Sequence, residues 1–141
     1  MSGARLCVLG AGAVGRSVIE LAEEYGHTVT AVADSSTAVV DEDGIDAEAV
    51  LQRKADEGVV GDAEPADALG GPYDVLVEAT PTTLGDAEPG FSHVKQGLQR
   101  DKHVVLANKG PVAERYGELR ELEAESEGEV RFEATVGVND C

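Results

Sequence analysis

Gly10-Ala11-Gly12-Ala13-Val14-Gly15 follows directly on an apolar run and opens a helical pattern. Glycines spaced G-x-G-x-x-G in that setting suit a diphosphate. The first permits a tight turn, the second lets the ligand approach the main chain, and the third lets the helix pack on the strand. Amides at a helix start lack partners within the helix and face an anion readily. Asp34 comes 19 residues after Gly15, at the end of the next apolar run, where a carboxylate can accept hydrogen bonds from an adenosine ribose. Gly10, Gly12, Ala13, Val14, Gly15, Asp34 and Ser35 therefore form a candidate dinucleotide site. NAD is favoured over NADP, because a carboxylate at that position repels a 2′-phosphate. Ser35, Ser36, Arg53 and Lys54 would soften the preference if the loop folded back. The plain alternatives are a loop cap for Asp34 and an ordinary tight turn for the glycines.

Apolar spacing predicts the elements that position these residues. Arg5 to Leu9 reads as a strand, and Val14, Val18, Leu21, Ala22 and Tyr25 recur at helical spacing until Gly26. Thr28 to Ala33 is a second strand, Ser35 to Gly44 a polar loop, and Asp46 the cap of a helix with Ala47, Val50 and Leu51 on one face. An acidic stretch containing Gly and Pro runs to Gly71. Tyr73 to Ala79 then reads as a strand buried on both faces, followed by a helix with Phe91, Val94 and Leu98 and a strand from Lys102 to Ala107. Pro111 suits the first turn of a helix and Gly128 its end, with Val112, Tyr116, Leu119 and Leu122 as its stripe, and Val130 to Thr135 is the last strand. Such alternation predicts an α/β fold, a Rossmann-type doubly wound parallel sheet in three layers, because right-handed crossovers put helices on both faces.

Ligands of open parallel sheets sit outside the carboxyl ends of the strands. Three further edges are candidates: Ala79-Thr80-Pro81, Ala107-Asn108-Lys109-Gly110 and Thr135-Val136-Gly137. The first suits a ribose or nicotinamide amide. The second places a cation and an amide beside the cofactor, its plain alternative being a solvent-facing lysine.

Composition narrows the function classes. A net charge of −17, from 28 acidic and 11 basic residues, repels nucleic acid and anionic membrane surfaces. Acidity spread along the chain suits the cytosol of a halophile. No apolar run reaches the roughly 18 residues of a membrane span, and the expected location is cytoplasmic. Cys7 and Cys141 fit no disulfide or metal spacing and read as thiols. His27, His93 and His103 share no ligand spacing, and structural roles are their default.

Taken together, VLGAGAVG, VADSS, VLVEATPT, KHVVLANKGPVA and FEATVG resemble the nucleotide-binding part of homoserine dehydrogenase, in that family's order. The resemblance implies NAD(P)-linked interconversion of L-homoserine and L-aspartate 4-semialdehyde, a step toward threonine, methionine and isoleucine. It implies an active-site role for Lys109 in proton transfer or substrate positioning, and cofactor-lining roles for Thr80 and Asn108. It also implies a monovalent-cation site at Glu133 and the Val136 carbonyl. The chain departs from the family at Val138-Asn139-Asp140-Cys141, so residues 1–137 are expected to form the NAD(P)-binding domain and 138–141 a divergent end. Without the family's substrate domain the chain is expected to be incomplete for catalysis. Its expected partners are a nicotinamide dinucleotide and either a separate substrate-domain chain or a second copy of itself. The alternative class is a non-catalytic nucleotide sensor.

Overall fold

The computed structural model describes residues 4–10, 12–80, 90–106 and 109–131. In chain order the elements are β1 (Arg5–Leu9), α1 (Ala13–Glu24), β2 (Thr28–Ala33), β3 (Ala38–Val40), α2 (Ala47–Glu57), α3 (Pro65–Leu69), β4 (Val75–Glu78), α4 (Gly90–Gln99), β5 (His103–Leu106), α5 (Lys109–Ala124) and β6 (Val130–Arg131). They form one sheet of order β3-β2-β1-β4-β5-β6. Pairing is parallel from β2 to β6, while β3 runs antiparallel along the outer edge of β2. The order reverses direction between β1 and β4, the kind of position at which open α/β sheets bind ligands outside the carboxyl ends of their strands.

Alternating side chains of the parallel strands feed two cores, one on each face. Leu6, Val8, Val32 and Val77 pack with Ile19 and Ala22 of α1 and with Ala47 and Val50 of α2. Cys7, Leu9, Leu76, Val104 and Leu106 pack on the opposite face with Phe91, Val94 and Leu98 of α4 and Leu119 of α5. Each fully buried aliphatic or aromatic side chain here contributes roughly 1.5–3 kcal/mol relative to exposure. The result is the doubly wound, three-layer α/β arrangement expected from the sequence. Asp46 caps α2 as predicted, accepting a hydrogen bond from the Ala49 amide at 3.2 Å.

Several local expectations need correction. Part of the supposed loop from Ser35 to Gly44 is β3, which pairs Ala38 with Ala33, Val39 with Val32 and Val40 with Ala31. Three apolar residues are too few to show a period, and pairing with the edge of β2 makes them a strand. The acidic stretch before Gly71 contains α3, whose start is braced by the Glu64 amide donating to the Asp67 carboxylate. Helix α1 buries Ile19 and Ala22 and leaves Leu21 exposed, and Tyr25, just past its end, is 72% exposed. At about 100° per residue, Leu21 lies roughly 200° round the helix from Ile19, facing away from the sheet.

On α5, Leu119 is buried but Tyr116 is 51% exposed, its ring beneath the Arg120 guanidinium at 5.1 Å. Helix α5 ends at Ala124, not Gly128. Gly128 serves close packing instead, since a Cβ there would overlap the Lys102 carbonyl. Strand β4 is shorter at both ends than the apolar run suggested, β5 begins at His103 with Ala107 outside the described residues, and of the final run only Val130 and Arg131 fall within the described strand. Among the described residues no helix is long and apolar enough to cross a membrane.

Candidate functional site

The three glycines differ in what surrounds them. Gly10 has φ +107° and lies against β4, where a Cβ would overlap the Ala79 carbonyl. Only glycine adopts that backbone angle without strain. A Cβ on Gly15 would overlap the Gly10 carbonyl, so the third glycine brings α1 hard against the turn. Gly12 is exposed, and a Cβ there would meet nothing within 4 Å. Two of the glycines are thus required by the protein's own packing, and the third faces the open side where a ligand would approach. The turn is held between neighbours by Gly10 N–H donating to Ala33 O at 2.7 Å and Ala79 N–H donating to Leu9 O at 2.7 Å. Ala13 and Val14 occupy the first turn of α1.

Asp34 follows β2 on one side of this turn. Its Oδ1 accepts from the amides of Ser36 at 2.8 Å and Thr37 at 2.6 Å and from the Thr37 hydroxyl at 3.1 Å. Its Oδ2 lies 2.8 Å from Lys54 Nζ. The side chain is only 7% exposed. Burial works against its ionisation, but the Lys54 ammonium and the Thr37 and Ser36 donors outweigh it and pull the carboxyl down to about 2. The loop does fold back: Val60 N–H donates to the Thr37 hydroxyl at 3.1 Å. Lys54 reaches Asp34, whereas Arg53 turns to Asp62 at 2.8 Å and Glu57 at 3.3 Å. Ser35 is exposed beside the cap. Asp34 therefore has the loop-capping role named as its alternative. Oδ1 already receives three donors, and Oδ2, with one, retains acceptor capacity for a ribose hydroxyl.

On the other side of the turn, β4 ends in Glu78, which is wholly buried. Its Oε1 accepts from the Thr80 amide at 2.8 Å and from the Thr80 hydroxyl, and its Oε2 lies 2.5 Å from His93 Nδ1 on α4. Neither the burial of Glu78 nor its pairing with His93 was foreseen. The available signal was a carboxylate ending the otherwise apolar run Val75-Leu76-Val77. The other two histidines do act structurally, His27 accepting from the Ala4 amide at 3.0 Å and His103 from the Glu129 amide at 3.2 Å.

Gly10, Gly12, Gly15, Asp34, Ala79 and Thr80 are brought to one edge of the sheet by β1, β2 and β4. Lys109 opens α5 after β5, at the same carboxyl edge. Pro81, Asn108, Glu133 and Val136 lie outside the described residues. Cys7 is a free buried thiol on the core side of β1. Burial pushes it up to about 12, which leaves it inert as a nucleophile. Among the described residues no cluster of His, Cys, Asp or Glu could hold a metal ion.

A glycine turn at the reversal point of a doubly wound sheet defines a Rossmann-type dinucleotide-binding domain. A family model described as Glutamate/Leucine/Phenylalanine/Valine dehydrogenase matches residues 1–82, more than half of the chain, and the chain belongs to that family. The match covers the segment from the glycine turn through β4. Similarity to homoserine dehydrogenase runs further. The chain is 34% identical to homoserine dehydrogenase of Methanocaldococcus jannaschii over 94% of its own length. It is 31% identical over 84% of its length to an NAD(+)-dependent homoserine dehydrogenase of Pseudomonas canavaninivorans. The chain spans 44% and 39%, respectively, of the length of these relatives. The fold is shared with crystalline homoserine dehydrogenase of Thermoplasma acidophilum, at TM-score 0.84 and 24% identity over 94% of this chain and 43% of that one. It is also shared with a hyperthermophilic archaeal homoserine dehydrogenase in complex with NADPH, at TM-score 0.76 and 23% identity over 94% and 44%. The expected resemblance thus holds along nearly the whole chain, and a nicotinamide dinucleotide is the class of cofactor that fold, glycine turn and family share.

Proposed function

We propose that residues 1–137 are the NAD(P)-binding domain of a homoserine dehydrogenase-like oxidoreductase, with 138–141 a divergent end. The observation that carries this reading is the division of labour among the glycines: Gly10 and Gly15 are closed by packing, and a Cβ on Gly12 would meet nothing within 4 Å. In this reading the amides at the start of α1 hold the diphosphate, Asp34 with Ser35 holds the adenosine ribose, and Ala79, Thr80, Pro81 and Asn108 line the nicotinamide half. When bound, the nicotinamide supplies hydride exchange. Lys109 handles the proton of the substrate hydroxyl or steadies charge on its oxygen, and Glu133 with the Val136 carbonyl holds a monovalent cation. Conversion of homoserine to aspartate semialdehyde then requires a substrate domain, from a further segment or a second chain, because orientation supplies much of catalysis. An acidic domain with a free buried thiol suits the cytosol of a salt-rich cell.

NAD is the preferred cofactor in this reading. The Asp34–Lys54 pair favours a second one, in which NADP is accepted as well, because the carboxylate that would repel a 2′-phosphate is matched by an ammonium at 2.8 Å. Calorimetric titration with NAD and NADP tests both, with Gly12→Val as the control. The wild type is expected to bind at least one dinucleotide. The variant, whose added side chain projects toward the ligand and away from protein atoms, should melt as the wild type does and bind neither.

A further inference from the structure

Glu78 is the one charged residue that is fully buried among the described residues. It sits in register with Leu9 of β1 and Leu106 of β5 and points to the same face as Leu76. That neighbourhood would accept a leucine, and a carboxylate placed there is costly unless its partners are specific. Its partners are two. Oε1 fixes the amide and hydroxyl of Thr80, and Oε2 takes His93 Nδ1 at 2.5 Å from the first turn of α4, where the imidazole is 18% exposed. One carboxylate therefore ties the residue that ends the strand to the helix that follows it.

The tied residue borders the glycine turn, because Ala79 and Thr80 form the wall that excludes a side chain from Gly10. A diphosphate on the glycine turn with its adenosine ribose toward Asp34 occupies the β2 side of β1. The sheet order puts β4 on the other side, so the second nucleotide half extends over the end of β4. We propose that Glu78 and His93 are positioning residues for the nicotinamide half of the dinucleotide, holding Thr80 beside the glycine turn. This rests on the dinucleotide-binding reading given above.

Titrations with NAD and with ADP-ribose, which lacks the nicotinamide, separate the two claims, with melting temperature measured alongside. Glu78→Leu removes the carboxylate that accepts from the Thr80 amide and hydroxyl and is expected to weaken NAD about tenfold. ADP-ribose should change by less than about twofold, and the variant should keep a single cooperative melting transition, since the leucine joins the apolar setting of Leu9, Leu76 and Leu106. Glu78→Gln, whose carboxamide can accept from Thr80 and donate to His93 Nδ1, should restore most of the NAD affinity. His93→Leu should weaken NAD while sparing ADP-ribose. Equal weakening of both ligands with a lowered melting temperature would make Glu78 a structural residue and overturn the inference. So would NAD affinity unchanged in Glu78→Leu, or wild-type affinities equal for NAD and ADP-ribose. Failure of the wild type to bind ADP-ribose at all would overturn the dinucleotide reading itself.

Discussion

Two carboxylates stand at strand ends on either side of the glycine turn, Asp34 after β2 and Glu78 closing β4, and they are satisfied in different ways. Asp34 lies at the rim of the protein, surrounded by amides of its own loop and one ammonium from α2. Glu78 lies in the core side of the sheet, facing a threonine and an imidazole. The first organises a loop that the fold needs whether or not a ligand arrives. The second occupies a place where packing alone would favour a hydrocarbon. The contrast teaches that two carboxylates at one edge of a sheet can be satisfied differently, one by its own loop and one by reaching the next helix.

Stability measurements sharpen the contrast most. With its carboxyl held at about 2 against an ordinary 3.8, Asp34 contributes about 2 kcal/mol to folding at neutral pH. Asp34→Ala is therefore expected to lower denaturant stability by about that amount and to weaken adenosine-side ligands. A loss no larger than that of Glu78→Leu would erase the distinction. The same carboxyl sets an acid response. Its folded value is depressed, so its contribution is complete above about pH 4 and disappears as pH falls through about 2. The stability gap between wild type and Asp34→Asn, followed by denaturation across that range, should accordingly close toward low pH, and a gap independent of pH would contradict the assignment.

The smallest effect concerns cofactor choice. Lys54→Ala removes the ammonium 2.8 Å from Asp34 and is expected to weaken NADP by about threefold to tenfold while leaving NAD nearly unchanged, in keeping with a partly exposed charge. Equal losses for both would show that Lys54 acts only through the loop.

Much of this was legible in the amino-acid sequence, and the failures have physical causes. The glycine turn, Asp34 and the alternation of strands and helices are local patterns, and they led to the correct fold. Strand β3 was missed because Ala38-Val39-Val40 becomes a strand by pairing with β2, a partner outside its own segment. Leu21, Tyr25 and Tyr116 were assigned to buried stripes because spacing gives a face but not the angle at which a helix meets its sheet. Lys54 was foreseen only on condition that the loop folded back, which the Thr37–Val60 hydrogen bond brings about. Glu78 and His93 lie 15 residues apart, and no spacing rule links a strand end to the next helix at that distance.

The central claim is that the open face at Gly12 receives a diphosphate. Titration of the wild type and Gly12→Val with ADP-ribose, beside their melting curves, tests it most directly. The account predicts saturable one-to-one binding by the wild type and none by a variant that melts at the same temperature. Equal binding by the two proteins, or none by either, would contradict it.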